Sequence, residues 1–202
     1  ISGIAEFAGA GVRTTAVAAS GHGYVVAGHE VSGDQTFAAL WWSPDLKHWV
    51  RIPNGGLAGR LVPSDILGVT AVDGGIVAIG SRENAPSIWV SGSGQTWGQG
   101  TFTLPGGATS GSLHLITVRG NTIVTAGNAT TASGTSIPVV ITSTDDDKTW
   151  QQITLAQPGV TASVTSLTAK GSGFTATGES AGKAVTWTSP DGLTWTENLS
   201  AG

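Results

Sequence analysis

Four histidines, five arginines, one tyrosine and a run of three aspartates are the residues of this 202-residue chain with the widest chemical range. The histidines are His22, His29, His48 and His114. His22 and His29 bracket one strand-like segment, whose residues at ~3.3 Å each hold them roughly 23 Å apart. They cannot share a metal. His22 and His48 are expected at one end of the first repeat, near Asp45, without zinc-ligand spacing. They read as solvated turn histidines. Asp145-Asp146-Asp147 invites comparison with a calcium loop, which needs glycine at its sixth position and an acid at its twelfth. Those positions are Trp150 and Ala156, so the run reads as a solvated hairpin tip. No phosphate loop or dinucleotide fingerprint occurs. No catalytic residue, metal or cofactor is therefore expected.

The elements that must carry these residues form a repeat. Ser43-Pro-Asp-Leu-Lys-His-Trp49 returns as Ser91-Gly-Ser-Gly-Gln-Thr-Trp97, Ser143-Thr-Asp-Asp-Asp-Lys-Thr-Trp150 and Ser189-Pro-Asp-Gly-Leu-Thr-Trp195. A period near 50 residues, with short strands between copies, is the mark of propeller blades. Short Val/Ile/Thr/Trp runs punctuated by Gly, Pro and Asp predict an all-β chain. The prediction is a β-propeller of four four-stranded antiparallel blades, at about 10–53, 64–104, 111–155 and 162–199. The whole chain, 1–202, forms one propeller or propeller portion. Second strands are placed near 24–31, 76–82, 122–128 and 173–179, closing on Gly28, Gly80, Gly127 and Gly178. Fourth strands are placed near 48–53, 96–103, 149–155 and 194–199. Trp41, Trp89 and Trp187 stand two positions before the motif serine, with Ile141 in the third copy. Their large apolar area predicts a role in gluing blade to blade. Trp42 turns to the other face of its strand.

Composition narrows the partners. The net charge is −4, and the nine Lys and Arg are scattered, unlike the basic stripe that neutralises nucleic-acid phosphates. No apolar run approaches the ~18 residues of a membrane span. There is no cysteine, hence no disulfide framework or thiolate site. There is no methionine either, and removal of a leader, proregion or further domain is expected.

The motif resembles the BNR or Asp-box repeat, Ser-x-Asp-(x)-Gly-x-Thr-Trp, over nearly the whole chain. The matching positions are Ser43, Asp45 and Trp49; Ser91 and Trp97; Ser143, Asp145 and Trp150; and Ser189, Asp191 and Trp195. Copy one has His48 for Thr, copy two Ser93 for Asp, and copy three Asp147 for Gly. The resemblance implies a structural hairpin in which Asp and Ser accept turn amides. It places the chain near sialidases, sortilin-type receptors, photosystem assembly factors and exported bacterial proteins, and fold alone does not choose among them. Arg51-Ile-Pro53 resembles the Arg-Ile-Pro of sialidases, yet follows a motif copy where that family has it before one. A sialidase also needs an arginine triad, a Tyr/Glu pair and an acidic Asp, and Tyr24 is the one tyrosine here.

The resemblance implies that ligands lie opposite the Asp-boxes. The polar residues expected there are His29, Glu30, Asp34, Arg82, Glu83, Asn84, Asn128, Glu179 and Lys183, with Arg60 in a linker. The expected function is a non-catalytic ligand- or protein-binding module, secreted or at the cell surface, whose partner is a protein or carbohydrate. The alternatives are a sialidase-like hydrolase portion and an assembly scaffold. Free blade faces are expected to be apolar, so the chain is expected to pair with another copy or with further blades.

Overall fold

The computed structural model describes Phe7, Gly9 and residues 11–53, 62–157 and 159–199. Among the described residues sixteen strands form four antiparallel sheets, each ordered as its strands follow in sequence. Blade one holds β1 (Val12–Ser20), β2 (Gly23–Ser32), β3 (Gln35–Ser43) and β4 (Val50–Arg51). Blade two holds β5 (Ser64–Val72), β6 (Gly75–Arg82), β7 (Ala85–Ser91) and β8 (Gly98–Gln99). Blade three holds β9 (Ala108–Arg119), β10 (Thr122–Thr131), β11 (Ser136–Ser143) and β12 (Gln151–Ile153). Blade four holds β13 (Ala162–Lys170), β14 (Gly173–Ser180), β15 (Lys183–Ser189) and β16 (Thr196–Leu199). The architecture is a β-propeller, as the repeat predicts.

Two strand limits differ from the sequence reading. The fourth strands are shorter, because the motif turn occupies the chain up to its tryptophan before pairing begins. The second strands do not close on their glycines but run past them to Ser32, Arg82, Thr131 and Ser180. Each glycine instead faces a β-bulge in the first strand, with register shifts at Thr14/Ala16, Ile66/Gly68, Leu113/Leu115 and Val164/Ser166. A Cβ on Gly28, Gly80, Gly127 or Gly178 would sit closer than 3.0 Å to a first-strand carbonyl, that of Arg13, Asp65, Ser112 or Ser163. Only glycine permits that approach, and the bulge it admits adds local twist to the blade.

Blades stack face to face through apolar residues two apart on their strands. Val25, Ala27 and Leu40 of blade one pack on Ile66, Ile76 and Trp89 of blade two. Val77, Ile79 and Ile88 meet Leu113, Ile123 and Ile141. Val124, Ala126 and Val140 meet Phe174, Ala176 and Trp187. Trp89 and Trp187 are thus the glue their positions predicted, each about 1% exposed. Trp41 faces the same way, toward the rear of blade one, where Phe7 lies across it and Trp49 at ring separations of 5.1 and 5.3 Å. Trp42 packs on the blade-two side and donates Nε1–H to the His22 carbonyl at 3.1 Å.

Blade four breaks the pattern on its forward face. The positions that carry Val25, Ala27 and Leu40 in blade one carry Thr175, Thr177 and Thr186 here, paired by register with Thr168, Ser166, Thr188 and Asn198. The apolar face expected at an unpaired blade is therefore a hydroxyl face in blade four.

Two outcomes are expected. Gly80→Ala destabilises the fold by about 3 kcal/mol or more, because backbone rather than a mobile side chain must yield; thermal melts within a degree of the parent would disprove the close approach. Converting Thr175, Thr177 and Thr186 to valine gives blade four an apolar face, and light scattering should then show more self-association than the parent. An unchanged mass would mean that this face is already covered.

Candidate functional site

The two ends of the sheets differ in chemistry. At one end stand the four motif turns. In copy one the Asp45 carboxylate accepts the amides of Lys47 and His48, both at 2.9 Å. In copy four Asp191 accepts those of Leu193 and Thr194 at 2.9 and 2.8 Å. Asp145 accepts the Thr149 amide at 2.9 Å and its hydroxyl at 2.6 Å. His48 fills that hydroxyl's place, with Nδ1 2.7 Å from Asp45 Oδ2. Ser93 replaces the aspartate with one longer bond, 3.3 Å, from the Gln95 amide.

The motif tryptophans close the turns. Trp49, Trp97 and Trp195 each donate Nε1–H to the carbonyl three residues back, at 3.0–3.1 Å. Copy three is one residue longer, and Trp150 Nε1 is buried with no partner. Its Asp146 and Asp147 both take positive φ, 60° and 69°. Gly94 and Gly192 take that conformation in copies two and four.

These bonds set the charges. Backbone and His48 bonds hold Asp45 far below the usual carboxylate range. The Thr149 hydroxyl and amide hold Asp145 down at about 2, and the Thr194 and Leu193 amides lower Asp191. Asp147 moves the other way, raised by burial and then by its neighbours Asp146 and Asp145.

At the opposite end lie the residues nominated for ligand contact, and several of them join blades or strands. His29 Nδ1 lies 2.8 Å from Asp65 Oδ1, bridging blades one and two. Asn128 donates to the Val164 carbonyl at 3.1 Å and accepts its amide at 2.9 Å, bridging blades three and four. Glu30 pairs with Arg51 through two bonds of 2.9 Å, and the Arg51 bond lowers its pKa. Arg51 also stacks over Trp41, 5.4 Å from the ring centroid. Arg82 donates to Gln99 at 2.8 Å. Glu83 and Asn84 form a turn at φ 51° and 64°, and the Asn84 carbonyl accepts the Gly111 amide from blade three at 2.7 Å. Asp34 lies in the β2–β3 turn, Glu179 in β14, and Lys183 opens β15. Arg60 lies outside the described residues. The described ones are spread over all four blades.

Sequence reasoning missed a cleft at this same end, on blade three. Its volume is about 360 Å³. Pro105 and Gly106 form one wall, the β10–β11 hairpin with Thr131, Ser133 and Thr135 another, and Gln152, Leu155, Gln157 and Val160 the rest. None of the described lining residues is ionisable. The available signal was the neutral Thr-Thr-Ala-Ser-Gly-Thr hairpin tip beside Pro/Gly linkers, which a search for charged side chains passes over. Among the described residues no group of three His, Asp or Glu is placed to hold a metal.

The fold class is that of a β-propeller. No family model matches the chain, and no curated protein matches it. Among solved structures it is similar to a protein of unknown function from Dyadobacter fermentans, at 14% identity and TM-score 0.57, over 92% of this chain and 68% of that one. It is also similar to a Hadza microbial sialidase, at 14% identity and TM-score 0.53, over 92% of this chain and 45% of that one. The chain thus spans less than half of the sialidase. Likeness at this identity is likeness of fold.

The turn aspartates give a pH dependence. A carboxylate whose folded pKa lies below its unfolded value stabilises the fold above that value, and the contribution is lost as pH falls through the folded pKa. Asp45, Asp145 and Asp191 belong to this class. Asp147, raised on folding, opposes the fold when ionised, so its protonation partly offsets their loss. The melting temperature should fall from about pH 4 toward about pH 2, and Asp145→Asn should flatten part of that fall. Melts that do not vary over this range would contradict the turn assignments.

Proposed function

We propose that this chain is a non-catalytic binding module on a β-propeller frame, exported to the cell surface or medium, with a protein or carbohydrate as ligand. The observation that carries the reading is the division of labour at the end opposite the motif turns. There His29 binds Asp65 and Arg51 binds Glu30, while an uncharged cleft stands open on blade three. Arg51, the residue of the Arg-Ile-Pro segment, is held by Glu30 and by the face of Trp41. Tyr24 packs against the cluster of Val26, Trp41 and Trp49 rather than beside an acid of a nucleophilic pair. The Asp-box reading of the motif turns supports the same view, since their carboxylates are engaged by their own turn amides.

A second reading, a portion of a sialidase-like hydrolase, draws on the fold likeness to the microbial sialidase. A fluorogenic sialoside separates the two. The chain should give no turnover, and Arg51→Ala should lower the melting temperature by removing a paired and stacked guanidinium. Robust turnover abolished by Arg51→Ala would sink the binding-module reading.

A further inference from the structure

The blade-three cleft has a chemistry of its own. Its volume, about 360 Å³, falls within the ~300–1,000 Å³ range of small-molecule sites. Its floor is apolar, from Pro105, Ile137, Pro138, Leu155 and Val160. Its rim is neutral and polar: hydroxyls from Thr131, Ser133 and Thr135, and amides from Gln152 and Gln157. A charged ligand would lose water here and find no counter-ion, a loss that a few neutral dipoles do not offset.

The rim hydroxyls form a chain. Thr131 Oγ1 lies 2.9 Å from Ser133 Oγ, which lies 3.1 Å from Thr135 Oγ1. Each can donate or accept, so the chain can polarise as a unit toward a partner that also offers adjacent hydroxyls. The hairpin is held in shape before any ligand arrives. The Thr131 amide donates to the Thr135 carbonyl at 2.9 Å, and the Thr135 amide to Thr131 Oγ1 at 3.1 Å. Across the cleft the Val160 amide closes a turn onto the Gln157 carbonyl at 3.2 Å. A preformed wall lowers the ordering cost of binding.

We infer that this cleft binds one or two rings of a neutral sugar, an inference that rests on the binding-module reading. A pyranose presents a C–H face to an apolar floor and neighbouring hydroxyls to a polar rim, which is the division the cleft provides. The same logic excludes an anionic sugar such as a sialic acid, although the fold is shared with a sialidase. The site lies at the β10–β11 hairpin and the linkers flanking blade three, set apart from Arg51.

Saturation-transfer NMR on the intact chain tests this with maltose, cellobiose, diacetylchitobiose and N-acetylneuraminic acid, each at about 10 mM. Transfer to at least one neutral disaccharide and none to the anionic sugar is expected. Ser133→Glu, at an exposed hairpin tip, should weaken that binding roughly tenfold or more with the melting temperature unchanged. Gln152→Leu, which removes a rim amide, is the second variant and should weaken it in the same direction. No transfer to any neutral sugar, transfer to the anionic sugar alone, or transfer untouched by both variants would overturn the inference. Turnover of the sialoside would instead overturn the non-catalytic reading and leave sugar binding at this cleft standing. Failure of the sugars without turnover would leave a module whose ligand is a protein.

Discussion

The contact on which this structure depends is the approach of a first-strand carbonyl to a second-strand glycine. It occurs once in every blade, at Gly28, Gly80, Gly127 and Gly178. The bulge it permits leaves Thr15, Leu67, His114 and Thr165 outside the regular pairing. Thr15 shows the use made of such a residue. Its hydroxyl lies 3.2 Å from the Ala27 carbonyl in its own blade and 2.7 Å from the Ile66 carbonyl in the next. One backbone irregularity thus adds twist to a sheet and presents a donor to its neighbour. A side chain in place of the glycine would disturb both.

Around that contact, apolar and polar interactions divide the work between blades. The apolar part is interleaving of Val, Ile, Leu and Trp across three blade-to-blade interfaces. The polar part includes bridges near one end, His29 to Asp65, Asn84 to Gly111 and Asn128 to Val164, and at the motif-turn end Thr142 to Gly192. Buried or half-buried polar groups must be paired, and here the pairing also joins neighbouring blades. His29, Glu30, Arg82 and Asn128, which look available for chemistry when read along the chain, are thus already engaged. The blade-three cleft, by contrast, is lined by neutral hydroxyls and amides.

The motif turns show how a local rule tolerates substitution. Three aspartates take up turn amides through one oxygen. His48 reproduces through a ring nitrogen what Thr149 does through a hydroxyl. Ser93 keeps one weaker bond. The extra residue of copy three carries the larger penalty: Trp150 loses its carbonyl partner, and two aspartates occupy backbone conformations that favour glycine.

Period, motif and composition determined the fold class of this protein, because both the 50-residue repeat and the strand punctuation are local properties that neighbouring residues carry in themselves. The glue roles of Trp89 and Trp187 were equally legible, since a large apolar ring at a repeated strand position must be buried somewhere. The hydroxyl face of blade four was also written in the sequence, as Thr175, Thr177 and Thr186 against Val25, Ala27 and Leu40, and becomes visible once the strands are aligned by register. Tertiary structure alone decided the rest. Nothing in the spacing of His29 and Asp65, or of Asn128 and Val164, says that they meet, because each pair joins two blades. The glycines read as strand ends, since their true constraint, a carbonyl from another strand, is invisible along the chain. The blade-three cleft escaped notice for the same reason: its hairpin and linkers come together only after the sheet has folded, and its neutral side chains carry no signature until they share a wall.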